Sequence, residues 1–161
     1  MTIFNRVKGL IGISAIALLT LTACGEKRSV QCQKVGDILN ASSSQRMSAS
    51  GTSNGFSEGA EISRKAADDL AALELGDKGV SNLRSHLVAN FREMADASTA
   101  MDAFAGADGS VAFNSNSSAE VEAVMANFES SSRNFSTTFS ALQAYCNGGS
   151  APSQLVDTPA Q

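Results

Sequence analysis

The sequence predicts an all-α fold, an antiparallel up-down four-helix bundle spanning residues 30–147. Two observations predict it. Apolar residues recur at helical spacing in four separate stretches, and the breaks between these are rich in serine, glycine and asparagine or marked by a single Gly-Asp turn. Four amphipathic helices joined by short or moderate connections pack most simply with each neighbour reversed, which brings helices one and four side by side.

The first helix is predicted from Val30 to Ser48, with Cys32, Val35, Ile38 and Leu39 on its apolar stripe. The stripe then fades into Ser42, Ser43 and Ser44. Ser50 to Gly55 is a loop. The second helix is predicted from Ser57 to Leu75, because Ile62, Ala66, Leu70 and Leu73 fall on one face. Gly76 ends it, and Asp77 caps the third helix by accepting an amide that would otherwise be unpaired. The third helix carries the clearest period: Val80, Leu83, Leu87, Phe91, Met94, Ala97 and Met101. Gly106 to Ser118 breaks the pattern. Ser117 and Glu120 then have capping-box spacing, and Val121, Val124, Phe128, Phe135, Phe139, Leu142 and Tyr145 form the face of a fourth helix reaching Cys146. Asn147-Gly148-Gly149 stops it, because these residues tolerate the left-handed conformation that closes helices. Residues 148–161 are expected to be a disordered tail.

Ahead of the helices, Arg6 and Lys8 precede an apolar run from Leu10 to Leu21, and small residues follow. These are the three parts of a secretory signal, and the run is well short of the ~20 residues a helix needs to cross a bilayer core. Leu21-Thr22-Ala23-Cys24 resembles the lipobox of bacterial lipoproteins. The resemblance implies that residues 1–23 are removed, that Cys24 is the lipidated first residue of the mature chain, and that residues 24–29 are a tether. Two or more acyl chains make a stable anchor where one is marginal. The competing reading is an ordinary secretory cleavage with Cys24 a plain thiol. Gly25 stands where an aspartate would favour retention at the inner membrane, so the expected location is the cell envelope, with the outer membrane preferred.

With Cys24 assigned to the anchor, Cys32 and Cys146 remain as an even pair in an oxidising compartment, and a disulfide between them is expected. The alternative is two buried or free thiols. An even number of antiparallel helices returns the chain to the end where it began, so bundle and disulfide support each other. The chain carries a formal net charge of −4, and loss of Arg6 and Lys8 makes it more acidic. Beyond Glu93 the one basic residue is Arg133. Nucleic-acid binding, which needs a concentrated positive footprint, is disfavoured. What remains after residue 23 suffices for one domain with one core.

Several apparent motifs dissolve in context. Gly51-Thr52-Ser53-Asn54-Gly55 has the spacing of a hydrolase nucleophile elbow, but no buried strand precedes it and His86 is the only histidine. Asp108-Gly109-Ser110-Val111 resembles the middle of a calcium loop, yet Phe104 and Gly106 stand at its first ligand positions and Ser115 replaces the closing glutamate. His86 has no second metal ligand nearby. Asp68 and Asp69 belong to a solvated face, where Glu61 and Lys65 are spaced for an ion pair. The phenylalanines read as core. The three Asn-X-Ser sequons, at Asn40, Asn116 and Asn134, mean little in a bacterial chain. No catalytic residue, cofactor or metal site is expected.

The run Ala66-Ala67-Asp68-Asp69-Leu70-Ala71-Ala72-Leu73-Glu74-Leu75, followed by Asp77, Leu83, Arg84, Leu87, Val88, Phe91 and Met94, is similar to a pattern in uncharacterised helical bacterial lipoproteins. That resemblance covers about a quarter of the chain and implies a bundle without an activity. The function expected is a membrane-anchored envelope module acting through protein contacts. The alternative is an assembly or regulatory factor of a larger membrane complex.

Overall fold

The computed structural model describes residues 26–50, 52, 54–106, 118–150 and 153–156. Every element among them is helical: α1 (Arg28–Ala49), α2 (Gly55–Ala71), α3 (Lys78–Asp102), α4 (Ser118–Cys146) and a single turn, α5 (Ser153–Val156). The four long helices pack together, and Cys32 on α1 is bonded to Cys146 on α4. The most extensive contacts join α3 to α2 and to α4, whereas α1 meets α4 only sparsely. The helix with the most regular apolar period is therefore the central one. All seven of its predicted stripe residues, Val80 to Met101, are buried.

The core lies toward the disulfide end. Val35 and Leu39 of α1, Leu70 of α2, Val80, Leu83, Leu87 and Phe91 of α3, and Leu142 of α4 form one buried cluster. Phe135 meets Phe91 edge-on with centroids 5.1 Å apart, and Phe139 stacks on Phe135 at 6.0 Å. Toward the other end Met94, Met101 and Val121 are buried among many small residues, including Ala49, Ala60, Ser63, Ala95, Ala97 and Ser98. Small side chains bring backbones close but bury little apolar area, so hydrophobic stabilisation per residue is lower there. Ser42 and Ser63 are buried at the cost of folding their hydroxyls back onto the carbonyls of Leu39 and Gly59.

Local signals set two of the helix ends. Asp77 caps α3, its carboxylate accepting the Val80 amide at 3.0 Å. Gly148 has φ +83° and closes α4; Gly149 N–H donates to Ala144 O at 2.8 Å and Gly148 N–H to Tyr145 O at 3.2 Å, the paired bonds of a Schellman motif. α1 starts two residues further upstream than predicted, at Arg28.

Helix α2 departs from the sequence reading. It stops at Ala71, before the predicted Leu75 and Gly76, and residues 73–77 are irregular. Continuing the helix would carry Leu75 round the axis away from the core. In the observed path Leu73 and Leu75 both pack against the core cluster, and Arg84 donates from Nη1 to the released carbonyls of Ala71 and Leu73 at 3.2 and 2.9 Å. Within the expected tail, Ser153–Val156 form one helical turn and Leu155 packs against the core. The predicted capping serine, Ser117, lies outside the described residues, as do the calcium-like Asp108-Gly109 and Asn116.

Candidate functional site

Two clusters of polar side chains stand at opposite ends of α1. At the disulfide end, Gln31 is almost wholly buried one residue before Cys32. Its Oε1 accepts the Asp77 amide at 2.9 Å and its Nε2 donates to Glu26 O at 2.6 Å, so the start of α1 is tied to the start of α3. Asp77 is the hub: Oδ1 accepts from Val80 N and from the Tyr145 hydroxyl at 3.1 Å, while Oδ2 accepts Arg28 Nε at 3.1 Å. The Arg28 guanidinium also sits over the Tyr145 ring, 4.2 Å from its centroid. Burial by itself would raise the Asp77 pKa, but the Val80 amide, Arg28 and Tyr145 outweigh it and hold the carboxyl below its ordinary value. Burial, with Asp77 next to it, pushes the Tyr145 hydroxyl up. Three helices and a disulfide thus converge on one small polar knot.

At the other end of α1 a cleft of about 390 Å³ opens, lined by Arg46 and Ser50 of the α1 terminus, Gly55, Phe56 and Gly59 of α2, Ser98 of α3 and Phe128 of α4. It lies roughly 20 Å from the disulfide along α1, at ~1.5 Å per residue. Arg46 is the charged residue of this lining. It is half-buried, its Nη1 approaches the buried Met94 Sδ at 3.8 Å, and burial lowers its pKa. Among the described residues the ion pairs are Arg28–Asp77, Lys34–Glu26, Lys65–Asp69 and Arg133–Glu129; none involves Arg46.

The residues singled out from the sequence are scattered relative to these clusters. Cys32 and Cys146 are bonded, with Cα atoms 5.9 Å apart. Cys24 and Ser53 lie outside the described residues. His86 is half-buried on α3, and no group of three or more metal-capable side chains occurs among the described residues. Asp68 and Asp69 are exposed, and Lys65 pairs with Asp69 at 2.6 Å, not with Glu61 as its spacing suggested. No described helix is long and apolar enough to cross a membrane.

Sequence reasoning missed Gln31 and Arg46, though a signal for both was present. Gln31, Val35, Leu39, Ser42, Arg46 and Ala49 step along a single helical face, and all but Arg46 are fully buried. A glutamine and an arginine on a buried stripe mark places where polarity is spent on something other than solubility. No protein-family model, no curated protein and no solved structure matches the chain.

Proposed function

We propose that this chain is a lipid-anchored helical module of the bacterial cell envelope, tethered through Cys24 and acting through protein contacts at the end of the fold remote from the lipid. The observation that carries the reading is the position of the Cys32–Cys146 bond: it joins the start of α1 to the end of α4, and only residues 25–27 separate Cys24 from α1. A tether that short keeps the disulfide end near the membrane and turns the C-terminal ends of α1 and α3 outward.

An up-down-up-down course of the four helices belongs to the same proposal. Its support is the order of the pairings. Gly79 meets Tyr145, Asn90 meets Thr138 and Phe91 meets Phe135, so positions rise along α3 as they fall along α4. Arg84 reaches Ala71 and Arg64 reaches Thr99, which gives the same reversal between α2 and α3.

The anchor is tested by fractionation. Globomycin, or Cys24→Ala, should abolish membrane partitioning of the mature form; unchanged partitioning would defeat the lipoprotein reading. A crosslinked pull-down from whole envelopes tests the contacts. One stoichiometric envelope protein, lost when the α1–α2 connection is altered but not when the disulfide end is, is the expected result.

A further inference from the structure

We propose that the cleft between the end of α1, the start of α2 and the middle of α4 binds a small amphiphile: a single carboxylate on an aliphatic chain, its head paired with Arg46. A guanidinium is always charged in practice, presents a planar fork of donors, and is costly to bury without an acceptor. Arg46 is half-buried, and among the described residues the side-chain acceptor it reaches is the Met94 thioether, a weak one. The negative end of the α1 dipole favours a cation in the last turn, which explains why arginine is tolerated there. It supplies no in-plane acceptor for the fork. A carboxylate does, through two parallel charge-assisted bonds.

The walls set the rest of the ligand. Phe56 and Phe128 are half-buried aromatics from two different helices, and Gly59 contributes no side chain to the space beside them, where a β-carbon would meet nothing within 4 Å. The volume of about 390 Å³ lies within the range of pockets that hold small organic ligands. A lone charge of +1 in the lining matches a monoanionic head. A phosphate monoester, nearly doubly charged, would keep half its charge uncompensated in an apolar setting. Ser98, buried in the lining, adds a hydroxyl that can serve the second face of a carboxylate.

The methionines provide the readout. Met94 touches Arg46, whereas Met47 on the same helix is 77% exposed. Full-length protein with 13C-methyl methionine, in lipid nanodiscs, is titrated with octanoate, octan-1-ol and inorganic phosphate. Saturable movement of the Met94 methyl with octanoate, without comparable movement of Met47 and without a response to octanol or phosphate, is the expected result. Arg46→Gln should weaken octanoate at least about 10-fold, as loss of a charged hydrogen bond predicts, with Arg46→Lys between the two. The proposal is overturned if Met94 ignores octanoate, if octanol or phosphate moves it equally, or if Arg46→Gln binds octanoate as wild type does. Should Arg46→Gln fail to fold, octanoate against octanol on the wild-type chain still decides.

Discussion

The Tyr145 ring lies directly on the backbone of Gly79, so close that a β-carbon at residue 79 would overlap it. The contact joins the first turn of α3 to the last turn of α4 and aims the Tyr145 hydroxyl at the α3 cap, Asp77. Glycine within a helix normally costs about 0.5–1 kcal/mol relative to alanine. Here that cost is offset by the close approach it permits.

Gly79→Ala should accordingly reverse its usual sign and destabilise by about 1–3 kcal/mol, as overpacking does. In a Tyr145→Ala background the same change should be neutral or stabilising. Urea melts of the four chains of this cycle test it. A wild-type background stabilised by Gly79→Ala would refute the contact.

Asp77 makes stability depend on pH at both extremes. Its folded pKa lies below the ordinary 3.8, so its contribution is complete above about pH 5 and is lost as pH falls through 3.8 toward the lowered folded value. Tyr145 is raised above the ordinary 10.0, so its contribution is present below that value and disappears as pH rises through the folded pKa. Asp77→Asn should flatten the acid limb of a plot of Tm against pH, and Tyr145→Phe the alkaline limb. Limbs unchanged by either variant would exclude the knot as their source. Asp77→Ala also removes the cap, at about 1 kcal/mol.

The disulfide closes a loop with a sequence separation of 114. The chain-entropy model gives about 4–5 kcal/mol for such a loop, and measured values are commonly about 2–4 kcal/mol. Cys32→Ala with Cys146→Ala should fall in the lower range, and reductant should lower the Tm of the wild-type chain equally. The polar knot still holds α1 to α3 when the bond is gone, so helical circular dichroism at room temperature should persist. A Tm insensitive to reductant would show that the bond adds nothing.

Asn90 donates to Thr138 Oγ1 at 3.0 Å within the α3–α4 interface, and both residues are buried. Thr138→Val strands the Asn90 amide and should cost about 1–3 kcal/mol. Adding Asn90→Leu should recover most of that loss, because two matched apolar groups leave no unsatisfied donor. A double variant as unstable as the single one would place the cost in packing instead.

Much of the architecture is legible along the chain. The period of α3 identifies its buried face residue by residue, because one helix surrounded by others must bury whatever recurs at helical spacing. α1 shows the opposite case. The one large apolar side chain of its second half, Met47, is exposed, so Ser42 and Ala49 reveal a buried face only once α2 and α3 are packed on it. Arg46 is harder still: on an isolated helix it is one more solvated cation, and only in the packed fold does it meet Met94 of α3 and share a cleft with Phe56 of α2 and Phe128 of α4.

The sequence by itself determined what acts over a few residues: the helical periods, the Asp77 cap, the glycine stop after Cys146, and two cysteines at the extremes of the periodic region. These depend on backbone hydrogen bonds between near neighbours, which local side chains control. Only the tertiary structure decided where α2 stops, which acid Arg28 and Tyr145 share, and that Arg46 faces a cleft. Each of those outcomes depends on groups brought together from distant parts of the chain, where burial and the need to satisfy polar atoms override local preference.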